Sequence, residues 1–263
     1  MTSVRVDVLL VQRGLAENRS QAQRLVMAGQ VRAAGQVVHK PATKVLSNVA
    51  LEVEQGPQFV SRGGEKLLAA LVKFDLNPKG DICADVGAST GGFTDCLLQA
   101  GAKRVYAIDV GQGILHWKLR QDKRVVVMEQ TNARYVNNLP EVVQFITIDA
   151  SFISLKILLP VIRNWISPQG GNIVALIKPQ FEAGRKVVSR SSGVIRSPAI
   201  HREVLLDVLS FAQEQTYNLR GLIRSPLLGP KGNVEFLAWL TLPIHESNNL
   251  EELVDKVAPM EDH

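Results

Sequence analysis

The sequence has few cysteines, few aromatic residues and no long apolar run. Its 263 residues include two cysteines, Cys83 and Cys96, and 5% aromatic residues. Neither cysteine has metal-ligand spacing, so we interpret both as reduced thiols in the core of a cytoplasmic protein. No apolar run approaches the roughly 20 residues of a membrane-spanning helix. The apolar stretch 8–11 is too short for a secretory signal, and Gln12 and Arg13 follow it.

Neither sign of charge dominates, although basic residues are in modest excess. The chain has 30 Lys and Arg against 25 Asp and Glu, a net charge of +5 and a pI near 9.3. Residues 1–58 hold seven basic and four acidic side chains, so +3 of that excess lies in less than a quarter of the length. A local basic excess favours a polyanionic partner such as nucleic acid.

One segment has the pattern of a buried strand, a glycine-rich loop and a helix. Residues 81–86 form an apolar run typical of a parallel strand, and Gly87, Gly91 and Gly92 follow. A helical pattern then covers 93–100. Such a turn brings backbone N–H groups against a nucleotide-like ligand, because glycine has no Cβ to block a close approach.

The glycine spacing distinguishes among nucleotide motifs. It does not match G-x-G-x-x-G, and no Gly-Lys-Ser or Gly-Lys-Thr follows as in a phosphate-binding loop. The form D-x-G-x-x-x-G-G, which starts at Asp85, resembles the first motif of class I methyltransferases, which bind S-adenosylmethionine. Asp109 ends the next predicted strand, 104–109, where a carboxylate can accept hydrogen bonds from ribose hydroxyls. An ordinary α/β turn with a capping aspartate is the alternative.

The resemblance implies a cofactor site of ten residues. They are Asp85, Gly87, Ala88, Ser89, Thr90, Gly91, Gly92, Phe93, Asp109 and Asn132. We expect Asn132 to contact the adenine end of S-adenosylmethionine, with a simple turn residue as the alternative.

Residues 1–58 are predicted to form a small α+β domain. The pattern indicates helices over 6–13 and 21–28, the second capped by Asn18 or Ser20, a hairpin over 31–38 and a strand over 49–53. The order R-V-D, R-G-L-A, R-S-Q-A and G-Q-V resembles the RNA-binding module named after ribosomal protein S-four. This resemblance implies that four arginines face RNA: Arg5, Arg13, Arg19 and Arg24. A solvated helical face is the alternative.

From residue 59 the pattern alternates strands and helices, which predicts a parallel sheet. We predict an α/β fold for 59–245: a seven-stranded class I methyltransferase (Rossmann-like) sheet with an antiparallel strand at one edge, after the small α+β RNA-binding domain. Residues 246–263 form a predicted C-terminal tail without a motif. The predicted strands are 81–86, 104–109, 124–128, 143–149, 172–177, 219–225 and 234–241.

Four polar side chains interrupt apolar or tightly turned segments. Asp149 and Lys178 each end an apolar strand, Lys66 opens a helix, and Glu235 lies among strand residues. Ligands of open α/β sheets bind beyond the carboxyl ends of the strands, where Asp149 and Lys178 would lie. In type and order the four residues match the Lys-Asp-Lys-Glu tetrad of FtsJ-type ribose 2′-O-methyltransferases, which implies that they are catalytic. Taken singly, a strand-end Asp caps a helix and a strand-end Lys points to water.

The sequence around these residues is similar to that of the TlyA family, also called hemolysin A. The similar stretches are V-S-R-G-G-E-K-L at 60–67, G-A-S-T-G-G-F-T-D at 87–95, D-A-S-F-I-S-L at 149–155 and K-P-Q-F-E at 178–182. The resemblance covers nearly the whole chain. It implies methylation of the 2′-hydroxyl of cytidine in ribosomal RNA within ribosomal subunits, with S-adenosylmethionine as cofactor. We expect no metal, because the sequence has no cluster of metal ligands, and no membrane partner, because it has no spanning segment.

The tetrad suits removal of a proton from a sugar hydroxyl. A lysine amine accepts such a proton when burial or a second cation lowers its pKa from about 10.4. The family assignment implies Lys178 as general base and Lys66 as the second cation, with Asp149 and Glu235 orienting the amines. Exocyclic-amine methylation fits less well, because D-A-S-F replaces the Asn/Asp-Pro-Pro-aromatic motif. Cytosine C5 methylation needs a nucleophilic cysteine, and neither cysteine qualifies.

Further expectations concern RNA contacts. Phe152 would stack on a base or pack in the core. The basic segment 182–196 would be a loop that clamps RNA phosphates, or a solvated surface loop. Arg62, Arg185 and Lys186 are predicted RNA-binding residues. Two other functions stay open: a non-catalytic ribosome-assembly factor, and a membrane-lytic protein, which the lack of a spanning segment disfavours.

Overall fold

The computed structural model describes residues 2–54, 56–184, 193–242 and 248–259. The chain divides into two compact units, Met1–Gln58 and Phe59–His263, each with an apolar core of its own. Within the described ranges, no helix is both long and apolar enough to cross a membrane.

The smaller unit combines two helices with short strands. Its elements in chain order are β1 (Ser3–Arg5), α1 (Val6–Gln12), α2 (Arg19–Met27), β2 (Val31–Ala33), β3 (Gln36–Val37), β4 (Lys44–Leu46) and β5 (Leu51–Val53). β1 pairs with β4, and β2 lies between β3 and β5, all antiparallel. The predicted helices and hairpin are present. The short strands β1 and β4 were not predicted; they pair from Ser3 to Leu46, so no turn between neighbouring segments marks them.

Local signals explain where these elements begin and turn. The side chain of Asn18 accepts a hydrogen bond from the backbone N–H of Gln21 at 2.9 Å, so Asn18 is the cap and α2 begins before its predicted start. Ala34 and Gly35 have φ values of 50° and 79°. Two successive positive φ values form the two-residue turn that joins antiparallel strands such as β2 and β3.

The larger unit is a sheet covered by helices. Its helices are α3 (Gly63–Lys73), α4 (Gly92–Gln99), α5 (Trp117–Arg120), α6 (Leu155–Ile162), α7 (Pro179–Glu182), α8 (Pro198–Glu214) and α9 (Leu250–Val257). Its strands are β6 (Ile82–Val86), β7 (Arg104–Ile108), β8 (Val125–Met128), β9 (Phe145–Ile148), β10 (Gly171–Ile177), β11 (Asn218–Arg224) and β12 (Phe236–Leu242). Helix α9 lies within the segment predicted as a tail, and it packs against α8 and β11.

The seven strands of this sheet follow the order β11-β12-β10-β9-β6-β7-β8. The neighbours from β10 to β8 are parallel, whereas β12 is antiparallel to both β10 and β11. The antiparallel strand therefore lies second from the edge, and its prediction at the edge is wrong. After β11 the chain turns back over 225–235, and β12 then pairs with β10 on one side and with β11 on the other.

The strand order also determines where a ligand can bind. From β6 the chain moves outward through β7 and β8 on one side, and through β9 and β10 on the other. This reversal opens a crevice at the carboxyl ends of β6 and β9, which is where open α/β sheets bind ligands. The loops that follow these two strands carry Gly87 and Asp149.

Both cysteines are part of the core of this unit. Cys83 lies in β6 and Cys96 in α4, and both are free and buried, as the sequence predicted. Burial raises the pKa of both thiols, that of Cys96 to about 12. A buried thiol that stays protonated is a poor nucleophile.

We expect both thiols to be unreactive in the folded protein, because burial blocks ionisation as well as access. At pH 8, Ellman's reagent should modify neither Cys83 nor Cys96 within minutes. In guanidinium chloride both cysteines should react. Fast modification of either one under native conditions would contradict the placement of that cysteine in the core.

Candidate active site

A cleft of about 450 Å³ opens at the carboxyl ends of the parallel strands. Four segments line it: the start of α3, the glycine loop after β6, the ends of β9 and β10, and the turn before β12. A smaller cavity of about 130 Å³ adjoins it and shares Gly87, Ser89 and Asp149 with it. The cleft thus unites the glycine loop with the four polar residues that the sequence singled out: Lys66, Asp149, Lys178 and Glu235.

The glycine loop lies too close to its neighbours to carry side chains. Gly87 has a φ of 82°, and a Cβ there would lie 2.7 Å from the backbone oxygen of Asp149. Gly91 has a φ of 97°, and a Cβ there would overlap Leu119. Both positions therefore need the left-handed backbone that glycine adopts without strain. The result is a narrow loop that leads into the first turn of α4, where the backbone N–H groups have no acceptor within the helix.

Asp85, which lies in β6 just before this loop, stabilises it through buried hydrogen bonds. Its carboxylate is fully buried and accepts hydrogen bonds from the hydroxyls of Thr94 (2.6 Å) and Thr147 (2.9 Å). Burial raises the pKa of Asp85 to about 6, although both threonine hydroxyls oppose the rise. These contacts link β6 to α4 and β9. The predicted role of Asp85 in cofactor binding stays a prediction, and the contacts show that it braces the loop.

Asp109 holds the loop from the next strand. Its Oδ2 accepts a hydrogen bond from the backbone N–H of Ser89 at 2.8 Å, and its Oδ1 accepts one from Gly111 at 2.7 Å. The smaller cavity is lined by Asp109 and also by Asn132, whose side chain accepts a hydrogen bond from the backbone N–H of Arg134 at 3.2 Å. Each carboxylate oxygen of Asp109 keeps a second lone pair for a ligand hydroxyl.

The four polar residues form two ion pairs that face the cleft. Lys178 Nζ lies 2.6 Å from Asp149 Oδ1, and it also donates to the hydroxyl of Ser151 at 2.9 Å. Lys66 Nζ lies 2.6 Å from Glu235 Oε2. Glu235 and Lys178 are buried, at 1% and 8% exposure. Buried charges of this kind are tolerated only when they are paired, so each amine is held in one place.

The carboxyl group of Asp149 lies against two lysines of the cleft. Burial raises the pKa of its carboxyl, and the positive charges of Lys178 and Lys66 oppose that rise. A carboxylate with a raised pKa beside an ammonium can take up a proton more readily than an exposed one.

Phe152 is exposed, and its alternative assignment to the core is wrong. Its side chain is 90% exposed, and its φ of 63° is unusual for a bulky residue. The ring lies 4.8 Å from that of Phe181, centre to centre. Phe181 in turn lies 5.8 Å from Lys178 Nζ. The exposed ring of Phe152 therefore lies next to Phe181, which in turn lies next to Lys178 of the tetrad.

Several polar residues of this region were missed by sequence reasoning. Ser151 hydrogen-bonds Lys178, and Gln180 Nε2 donates to Glu235 Oε1 at 3.1 Å. The carboxylate of Glu182 accepts hydrogen bonds from the Ser154 hydroxyl (2.6 Å) and from the backbone N–H of Leu155. These residues lie in D-A-S-F-I-S-L and K-P-Q-F-E, the two stretches that follow β9 and β10. Their position directly after strand ends was the available signal.

Two of the predicted RNA-binding arginines of the smaller unit are paired with a buried acid. Asp7 is fully buried, and its carboxylate accepts hydrogen bonds from Arg5 (2.9 Å), Arg19 (3.1 Å) and Gln23 (3.1 Å). The Arg5 guanidinium holds the pKa of Asp7 well below its usual range. Arg5 and Arg19 keep 40% and 55% of their side-chain surface exposed, so contact with RNA stays a prediction for both.

The remaining predicted RNA-binding residues have different surroundings. Arg13 donates to the backbone oxygens of Ser47 and Val49, both at 2.6 Å. Arg24 is exposed and donates only a long bond, 3.3 Å, to Ser20. Arg62 is exposed and lines the cleft. Arg185 and Lys186 lie outside the described residues. Within the described ranges no group of three His, Cys, Asp or Glu residues could hold a metal ion.

The strand order and the glycine loop define a class I methyltransferase. The FtsJ-like methyltransferase family matches residues 59–242, and the S4 domain matches residues 4–50. The two matches fall on the larger and the smaller unit, respectively.

Individual relatives narrow this class to one family. The chain is 44% identical over 259 residues to the 16S/23S rRNA (cytidine-2'-O)-methyltransferase TlyA of Mycobacterium tuberculosis, with 96% of this chain and 95% of that protein covered. It is 42% identical over 241 residues to Hemolysin A of Brachyspira hyodysenteriae, with 89% and 98% covered. A solved chain from Streptococcus thermophilus has a TM-score of 0.72 at 44% identity, with 97% and 96% covered. The chain belongs to the TlyA family, as its motifs predicted.

We expect Asp85→Asn to change how stability depends on pH. The pKa of Asp85 is about 6 in the folded protein against 3.8 in a free side chain. The folded chain therefore binds this proton more tightly than the unfolded chain does. The ionised carboxylate opposes folding increasingly between pH 4 and pH 6, by up to about 3 kcal/mol. An asparagine does not titrate, and its amide can still bond both threonine hydroxyls.

Urea unfolding of both proteins at pH 4 and at pH 7 measures this effect. The free energy of unfolding of the variant minus that of the unchanged protein should be larger, in the direction of a more stable variant, at pH 7 than at pH 4. An equal difference in free energy of unfolding at both pH values would show that the pKa of Asp85 is not raised in the folded protein.

Proposed function

We propose that the protein transfers a methyl group from S-adenosylmethionine to the 2′-hydroxyl of a cytidine in ribosomal RNA. The observation that carries this proposal is the presence of two lysines, each held by a carboxylate, in one cleft beside the glycine loop. The relative in Mycobacterium tuberculosis is named for this reaction, which supports the choice of cytidine and of ribosomal RNA.

The residues present fit S-adenosylmethionine, which supplies a methyl group that the positive sulfur has already activated. The glycine loop has no space for a Cβ at Gly87, so its backbone can lie close to a ligand in the cleft. Asp109 would accept the ribose hydroxyls with its remaining lone pairs, and Asn132 would border the adenine.

Lys178 is the proton acceptor in this mechanism. In the ion pair its ammonium donates to Asp149 Oδ1. Because burial raises the pKa of Asp149, this carboxylate can take one proton from Lys178 and leave the amine lone pair free. The amine then accepts the proton of the sugar hydroxyl while the sugar oxygen bonds to the methyl carbon and the bond from that carbon to sulfur breaks.

Lys66 has a different task. Glu235 holds its ammonium at 2.6 Å, and the Lys66 side chain is 12% exposed toward the cleft. A fixed positive charge there stabilises negative charge that develops on the sugar oxygen, or a neighbouring phosphate of the RNA. In the proposed mechanism Lys178 thus accepts the proton, and Lys66 provides the positive charge that stabilises the transition state.

The Lys178→Met variant tests the assignment. It keeps the length of the side chain but has no amine, so we expect methyl transfer to fall by at least about 100-fold, the lower end of general-base contributions. RNA binding should stay within about twofold, because the phosphate contacts that dominate affinity are unchanged. The measurement uses isolated ribosomal subunits and a labelled methyl donor, followed by nuclease digestion to separate methylated riboses from methylated bases.

Lys156→Met is the matched control. Lys156 forms an ion pair with Asp207 on the surface and does not line the cleft. Its loss should leave methyl transfer unchanged, since surface pairs contribute little. Full activity of Lys178→Met would remove the proposed base. Label on a base alone would refute the 2′-hydroxyl as acceptor, and binding of subunits without any transfer by the unchanged protein would favour an assembly factor.

Phe152 supports the choice of an unpaired nucleotide as substrate. A positive φ at a phenylalanine is strained by roughly 1–3 kcal/mol, and such strain is tolerated mainly at functional sites. The ring is exposed beside Phe181 and beside the tetrad. A base that has left its helix can stack on such an aromatic face, and this would place its ribose over the cleft.

We expect Phe152→Leu to raise the KM for RNA by roughly 10-fold, since base stacking contributes about 1–3 kcal/mol. Phe152→Tyr keeps the aromatic face and should stay within about twofold of the unchanged protein. The melting temperature of both variants should be unaltered because the side chain is exposed. Equal KM values for the leucine and tyrosine variants would exclude stacking as the role of Phe152.

A further inference from the structure

Glu235 is the most deeply enclosed charge of the cleft, and both of its carboxylate oxygens are occupied. Oε2 accepts from Lys66 at 2.6 Å, and Oε1 accepts from Gln180 Nε2 at 3.1 Å. Among the described residues, Gln180 is the one that donates to Oε1. On the remaining side Gly229 leaves room for the carboxylate, because a Cβ there would overlap Oε1. The orientation of Glu235 thus depends on one neutral donor.

Among the described residues, the side-chain amide of Gln180 is hydrogen-bonded through its nitrogen and not through its oxygen. It is 8% exposed and lies in α7, two residues after Lys178. Its amide nitrogen bonds Glu235, while its buried carbonyl oxygen has no donor among the described residues. A buried carbonyl without a donor is unfavourable, and most proteins avoid it. The reverse amide orientation would place two oxygens together, so the bond to Glu235 determines how Gln180 is oriented.

The neutral amide of Gln180 suits the position next to Glu235 better than a charged side chain would. The carboxylate needs a second donor, but a second cation there would compete with Lys66 for the same charge. A carboxylic acid at 180 would, when ionised, repel Glu235 and draw Lys66 away from the cleft. A neutral amide satisfies Oε1 and leaves the charge of Glu235 for Lys66 alone.

We propose that Gln180 is a positioning residue for the reaction, which fixes Glu235 and through it the Lys66 ammonium. The proposal rests on the function proposed above for the cleft. It predicts that loss of the amide changes the rate of transfer more than it changes the binding of RNA or cofactor, because Gln180 does not line the cleft.

The first test compares Gln180→Met and Gln180→Glu with the unchanged protein. Without the amide, Oε1 loses its donor and the carboxylate can rotate, which moves Lys66. We expect Gln180→Met to lower kcat about tenfold or more, with both KM values within about twofold. We expect its melting temperature to fall, because the buried Oε1 of Glu235 is left without a donor, so the rates are compared well below the unfolding transition. Gln169→Met is the matched control and should be fully active, because Gln169 is exposed and lies just before β10, at the opposite end of that strand from the cleft.

Gln180→Glu gives a signature that a purely structural role would lack. A protonated glutamic acid can donate to Glu235, whereas the ionised form cannot and repels it. The ratio of variant to unchanged kcat should therefore rise as the pH falls, while the ratio for Gln180→Met should stay constant with pH. A pH-independent ratio for Gln180→Glu, or an unchanged kcat in Gln180→Met, would overturn the proposal.

A second measurement does not depend on catalysis. The side-chain amide of Gln180 donates to a charged oxygen, so its ¹⁵N-linked proton should resonate downfield of those of exposed glutamines. In Glu235→Gln the acceptor is neutral, and this resonance should move upfield. A resonance that does not respond would refute the contact. If the unchanged protein transferred no methyl group while the resonance behaved as expected, the proposed function would fail and the link between Gln180 and Glu235 would stand.

Discussion

The cleft depends on the pairing of four charges, two of them buried and two half-buried. Taking a lysine and a carboxylate out of water is unfavourable by several kcal/mol for each ion, and the loss is offset only when partners meet at hydrogen-bond distance. Lys178 and Asp149, and likewise Lys66 and Glu235, meet at 2.6 Å. Removing any one partner would leave a buried charge alone. The pairs therefore fix the positions of both amines even without a ligand.

The strand order explains why these charges meet. Asp149 and Lys178 follow β9 and β10, which are parallel neighbours, so their side chains reach the same rim. Glu235 precedes its strand instead of following it. Because β12 is antiparallel to β10, with Phe236 paired to Ile177, the start of β12 lies at the rim where β10 ends. An antiparallel strand at the far edge of the sheet, beyond β11, would carry Glu235 away from Gln180.

The sequence allowed the local elements to be predicted, and the contacts between them only in part. The apolar runs and the glycine loop gave the strands and α4, since these patterns depend on neighbours along the chain. The identity of the tetrad came from resemblance, and its division into pairs required the strand order. The exposure of Phe152 and the pairing of Arg19 with Asp7 are tertiary results, because the same residue types are equally compatible with a core ring and a solvated arginine.

The ion pairs that stabilise the cleft also oppose its proposed chemistry, because a carboxylate beside Lys178 favours the ammonium over the amine that must accept a proton. The structure offers a resolution in the unequal environments of the two acids. Asp149 has a raised pKa and lies next to the proposed base, so it can share that proton. Glu235 accepts hydrogen bonds from two donors, Lys66 and Gln180. In the proposed mechanism the two similar pairs therefore have different roles: Asp149 exchanges a proton with the base, and Glu235 holds the Lys66 ammonium in place.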